Sequence, residues 1–145
     1  MEKTIFALKG RAKVGKTSTI KIIYDLFKNN YESATFNEII FNTDIDPDIK
    51  VIIAIDGIKI GIESQGDPYG RLKDSLTDFV ENGCQIIICA SRTKGMTKNW
   101  IEYYSNHFKI EWIKKQISQN KENQNRDNQA QANKIFEEVK NLIQE

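Results

Sequence analysis

The stretch Gly10-Arg11-Ala12-Lys13-Val14-Gly15-Lys16-Thr17 decides how this chain is read. It has the form G-x-x-x-x-G-K-T, with the run Thr4-Ile5-Phe6-Ala7-Leu8 before it and a helical pattern after it. A strand that delivers the chain into such a loop lets successive backbone N–H groups wrap around an anion. The helix opening near Gly15 adds the positive end of its dipole at the same spot. Lys16 is then placed to neutralise the β- and γ-phosphates of a nucleotide, and the Thr17 hydroxyl to ligate Mg²⁺. The expected nucleotide contacts run over Gly10, Arg11, Ala12, Lys13, Val14, Gly15, Lys16, Thr17 and Ser18.

Outward from the loop, Ile20, Ile22, Ile23, Leu26 and Phe27 give a helical stripe over Thr17–Asn30. Tyr31 to Asp48 reads as a surface connection in which Thr35-Phe36 and Ile39-Ile40-Phe41 form a short strand or buried anchors. Asp46-Pro47 marks a turn there. In P-loop proteins, which the Gly10–Thr17 motif resembles, such a segment often reaches over the nucleotide, and that resemblance makes Thr35 and Thr43 secondary candidates for Mg²⁺ or γ-phosphate contacts. Lys50–Ile55 and Ile58–Glu63 form a hairpin around Asp56-Gly57, a dipeptide suited to a tight two-residue turn. In its second strand Ile58, Ile60 and Ile62 share one face, and Lys59, Gly61 and Glu63 the other.

A helix is expected from Gly70 to Glu81, with Leu72, Leu76, Phe79 and Val80 buried. Gln85–Ala90 reads as a central strand covered on both faces, running into the polar loop Ser91–Gly95. Thr97 is expected to cap a helix carrying Trp100, Ile101 and Tyr104, and Phe108–Ile113 to form a last strand. Gln119–Asn133 is rich in Asn and Gln, and reads as a flexible connection or an exposed helical stretch. Ile135, Phe136, Val139, Leu142 and Ile143 then restore a stripe, so a C-terminal helix docks on the body or on a protein partner.

The 145 residues suit one domain, without an internal repeat. A net charge of +1 gives no global attraction to nucleic acid, which leaves nucleic-acid binding unsupported. Apolar runs fall short of the ~18 residues a membrane span needs. The N-terminus lacks the pattern of a signal peptide, so a cytoplasmic protein is expected. Cys84 and Cys89, five apart on a strand, would point to opposite faces and read as buried free thiols. The single histidine, His107, excludes a Cys/His zinc cluster.

In P-loop proteins, which the loop resembles, an Asp or Glu at the end of a neighbouring strand orients the metal or its water, so a carboxylate is expected at a strand end here. Asp56 ends an apolar run, but its place before Gly57 is explained by turn geometry. Glu63 ends the second hairpin strand and, if that strand runs parallel to the first, reaches the phosphate side. Glu63 is therefore preferred over Asp56, with Asp67 as a lesser alternative.

On the Gly10–Thr17 motif and its strand–loop–helix context, the chain resembles the P-loop NTPase superfamily over roughly its first thirty residues. That resemblance implies a three-layer α/β fold, mainly parallel, with an antiparallel hairpin strand and helices on both sides. The order of loop, helix and hairpin resembles the Ras-like small GTPases over roughly the first two-thirds of the chain. Glu63-Ser64-Gln65-Gly66 then takes the place of their D-x-x-G loop, with Gly66 offering its N–H to the γ-phosphate and Gln65 or Asp67 positioning water. The guanine-reading N-K-x-D is missing, so ATP is expected rather than GTP. The chain is also similar in size to small P-loop kinases, and that likeness gives Arg71, Arg92 and Lys94 phosphate-gripping roles. Lys16, Glu63 and Arg92 are the candidate catalytic residues. Three activities follow: γ-phosphate hydrolysis, transfer to a small-molecule or nucleotide acceptor, and nucleotide binding without turnover in a module that presents its C-terminal helix.

Overall fold

The computed structural model describes residues 1–41 and 47–145, so Thr43 and the Asp46 half of the expected turn lie outside the described residues. Chain order is β1 (Thr4–Lys9), α1 (Lys16–Asn30), β2 (Thr35–Ile40), β3 (Lys50–Ile55), β4 (Ile58–Glu63) and α2 (Leu72–Glu81). Then follow β5 (Ile86–Ser91), α3 (Met96–Glu102), β6 (Lys109–Lys114), a 3₁₀ turn (Lys121–Asn123) and α4 (Gln124–Ile143).

The strands form a six-stranded sheet in the order β2-β3-β4-β5-β1-β6. β1 pairs in parallel with both β5 and β6, and β4 pairs in parallel with β5. β3 runs against both β2 and β4. The result is an α/β fold with a mixed, mostly parallel sheet and an antiparallel hairpin. The hairpin turn is as the Asp-Gly pair requires: Asp56 has φ 50° and Gly57 φ 82°, both left-handed.

Strand alternation divides the apolar residues between two cores. Phe6 and Leu8 of β1 face α1 and α4, where Ile20, Ile23 and Phe27 meet Ile135, Phe136 and Val139. Phe27 and Phe136 pack edge to face at 5.0 Å, a contact worth about 0.5–1.5 kcal/mol beyond area burial. Ile5 and Ala7 face the other side, under Leu72, Leu76 and Phe79 of α2 and Ile101 of α3. The apolar stripe of α4 is therefore spent on α1, settling where the C-terminal helix docks.

Several local expectations change. The Asn/Gln-rich stretch is helical from Gln124 onward, and it buries Asn128, Gln131 and Ala132. Cys84 precedes β5 and lies in the same core as Cys89, rather than on an opposite face; both are free thiols. Thr97 does not cap α3: its Oγ1 accepts from Arg92 N–H at 3.0 Å and so braces the loop after β5. No helix among the described residues is long and apolar enough to cross a membrane.

Candidate functional site

The C-terminal ends of β1, β4 and β5 lie along one edge of the sheet, because these strands are parallel. From that edge the loop after β1 turns into α1 through two left-handed residues, Lys13 (φ 61°) and Gly15 (φ 97°). Among the described residues no side chain caps α1, and its first turn holds no acidic residue. Its leading N–H groups thus remain open to an anion.

Lys16, 8% exposed, folds back over the loop and donates to Gly10 O at 2.5 Å and to Ser91 O at 3.1 Å. Burial first and the Arg92 charge second, against an opposing Asp67, lower its pKa to about 8. Thr17 Oγ1 donates to Asp48 Oδ1 at 3.0 Å, and Ser64 Oγ donates to the same oxygen at 2.8 Å. Ser64 Oγ is itself fixed by Ile49 N–H at 2.8 Å. The carboxylate beside Thr17 is therefore Asp48.

Glu63 is not brought to Thr17, which corrects the expected metal-side arrangement. It reaches the right edge of the sheet but points to the opposite face, as Gly61 does under the Phe79 ring. Fully buried, it takes Arg71 Nε at 2.7 Å and Nη2 at 3.1 Å, Ser75 Oγ at 2.7 Å and Gln65 N–H at 3.0 Å. Burial pushes its carboxyl upward; Ser75, Gln65 and Arg71 pull it back. Arg71 is engaged with Glu63 instead of reaching toward the loop.

Arg92 does stand at the site. It meets Asp67 across the cleft, Nη2 to Oδ1 at 2.8 Å and Nε to the same oxygen at 3.3 Å. Gly66 lets this happen: a Cβ there would lie 2.7 Å from the carbonyl of Ala90, so the Glu63–Gly70 loop can lie flat on the end of β5.

The cleft so formed has a volume of about 510 Å³. From the loop it takes Ala12, Lys13, Gly15, Lys16, Thr17 and Ser18, and from elsewhere Asp48, Ser64, Gly66, Asp67, Arg92 and Gln124. Gly10 lies behind this wall, Val14 is buried in it, and Arg11 is exposed. Lys94 is exposed outside the cleft. Asp56 sits in the hairpin turn, and Thr35 pairs with Ala54 near that turn, at the opposite edge of the sheet.

Asp48, Ser64 and Gln124 line the cleft, and Asn128 lies against Gly15; sequence reasoning gave none of them a role of its own. For Asp48 a signal existed in the hairpin register. With Lys50 paired to Glu63, the residue two before Lys50 falls at the same edge as Gln65. For Gln124 and Asn128 no local signal exists, since only the packing of α4 on α1 brings them near. A comparison with known proteins gave no match: no family model fits the chain, and no curated protein or solved structure is significantly similar to it.

Proposed function

We propose that this chain is a P-loop protein that binds a Mg²⁺–nucleoside triphosphate, with ATP preferred over GTP, and cleaves its γ-phosphate. One observation carries the reading: Lys16, Thr17 and a Thr17-bonded Asp48 converge at the uncapped start of α1, inside one cleft. Hard oxygen donors suit Mg²⁺, which commonly takes one or two protein oxygens beside those of the phosphates. Thr17 Oγ1 and the Asp48 carboxylate fit that demand, with Ser64 orienting the carboxylate. When bound there, the ion would supply charge neutralisation to the phosphates.

The chain's own residues provide the rest. The loop N–H groups bind the phosphates, and Lys16 exchanges its two carbonyl partners for phosphate oxygens. Gly66 and Arg92 approach the γ-phosphate from the facing loops, stabilising charge as the bond breaks. Glu63 acts at one remove, by holding the Gln65–Asp67 loop through Gln65 N–H and Arg71.

Hydrolysis is favoured over transfer to a small-molecule or nucleotide acceptor, since Arg71 is held by buried Glu63 away from the cleft, and among the described residues Arg92, which serves the γ-phosphate, is the one arginine lining it. A non-catalytic module presenting its C-terminal helix is disfavoured, because the apolar face of α4 is already covered by α1. Calorimetric titration with Mg²⁺–ATP and Mg²⁺–GTP, with and without Lys16→Ala, tests the reading. Losing a charge-assisted contact set should weaken triphosphate binding by roughly 10- to 100-fold. Unchanged affinity in Lys16→Ala would refute the site. Phosphate release without any acceptor supports hydrolysis; release only on adding one selects transfer.

A further inference from the structure

Asn128, in the second turn of α4, is 2% exposed and lies directly against the loop. A Cβ on Gly15 would sit 3.0 Å from both Nδ2 and Oδ1 of Asn128, so the amide lies over the Gly15 Cα. Its Oδ1 is the one buried side-chain nitrogen or oxygen without a hydrogen-bond partner among the described residues. Native folds seldom leave such a group unpaired, and those that do warrant a physical reason.

The polar neighbours of Asn128 on α4 sharpen the contrast. Asp127 accepts from Ser118 Oγ at 2.7 Å. Gln131 accepts from Gln116 N–H at 3.2 Å and donates to Lys114 O at 2.9 Å. Both pin the connection between β6 and α4. Among the described residues Asn128 pins nothing by hydrogen bonding, and it faces the residue that makes the left-handed entry into α1. The Gly15 carbonyl is already taken by the backbone N–H and the hydroxyl of Thr19. In fold terms an apolar side chain of the same size would do better at this position.

We propose that Asn128 is a positioning residue for the phosphate loop: its flat amide, packed against Gly15, keeps the loop's left-handed entry into α1 in place, at the cost of an unpaired Oδ1 in the unliganded fold. Through it the first turns of α4 form a working wall of the cleft, with Gln124 at the rim. The inference rests on the phosphate-binding reading, and adds that α4 tunes affinity without touching the phosphates. Functional sites often hold an unfavourable local arrangement in this way.

The test measures melting temperature and Mg²⁺–ATP affinity for the full chain, Asn128→Leu and Asn128→Ala. The expected result is a melting temperature unchanged or raised by about 2–8 °C in Asn128→Leu, with affinity reduced about tenfold in both variants. Smaller ATP-induced thermal shifts should accompany the loss. A wild-type protein that binds while both variants bind equally well overturns the inference and leaves the phosphate site standing. A fall in melting temperature large enough to account for the lost binding, or failure of both variants to fold, overturns it too, because the amide would then be structural. No binding by the wild type defeats the phosphate reading, and this inference with it.

Discussion

Glu63 and Ser64 are neighbours at the end of β4, yet they belong to opposite sides of the molecule. Glu63 turns to α2, where Arg71, Ser75 and the Gln65 N–H close around its carboxylate. Ser64 turns to α1, where it joins Thr17 on the carboxylate of Asp48 in an open cleft. The two acids thus stand at the same sheet edge in opposite conditions. One is sealed and saturated, as a group that holds the fold should be. The other borders a cleft, where a ligand can reach it.

That contrast breaks most visibly in stability. Glu63→Ala removes the buried acceptor shared by Arg71, Ser75 and the Gln65 N–H, and breaking a buried pair from one side costs about 3–5 kcal/mol. Asp48→Asn keeps an acceptor for Thr17 and Ser64 and should cost less than about 1 kcal/mol. Urea unfolding of the two variants decides: equal losses would erase the distinction between sealed and open acid. In binding the order reverses, with Asp48→Asn expected to weaken Mg²⁺-dependent ATP affinity by about tenfold, or about 1.4 kcal/mol.

The next effect lies in pH. Lys16 is held at about 8, below its ordinary 10.5, mainly by burial and then by Arg92. Below about pH 8 it is charged in folded and unfolded chains alike, and the folded chain bears the cost of burying that charge. As pH rises from about 8 toward 10.5, the unfolded chain holds the proton that the folded one has lost, and this contribution to stability improves. Triphosphate affinity should move the opposite way, falling by up to about tenfold per pH unit as pH rises past the unliganded Lys16 value of about 8, until the bound-state pKa is reached. Titrations at several pH values check both signs. Affinity that stays level up to pH of about 10 would remove the Lys16 ammonium from the site.

How much of this was legible follows from particular residues. The Asp56-Gly57 turn and the alternation of Ile58, Ile60 and Ile62 are local, and both appear in the structure as read. Alternation even separated Glu63 from Ile62. What it could not tell is which face α1 would cover, and that decides whether Glu63 or Asp48 meets Thr17. The insertion of β5 between β4 and β1 is likewise a long-range pairing with no local trace. Of the two readings of the polar stretch before the C-terminal stripe, the helical one holds from Gln124 onward, but not its exposure: Asn128 and Gln131 are buried by geometry that composition does not encode.

The smallest effect concerns the Asp67–Arg92 pair that spans the cleft, and there the two loops can be played against each other. The side chains are 55% and 34% exposed, so the pair adds at most about 1 kcal/mol to stability. Its larger consequence is electrostatic, since Asp67 supports the charged form of Lys16 and Arg92 opposes it. On the phosphate-binding reading, Asp67→Asn takes a negative charge out of the cleft and frees Arg92 to meet the γ-phosphate. ATP affinity near pH 7 should rise by about two- to fivefold, within the range of a partly exposed charge. The same change withdraws the support for the Lys16 proton, so the decline of affinity with pH should begin earlier. Arg92→Gln should do the reverse on both counts, with weaker binding near pH 7 and a later decline. If the two substitutions shifted affinity in the same direction, Arg92 would be a structural partner of Asp67 rather than a reserve for phosphate.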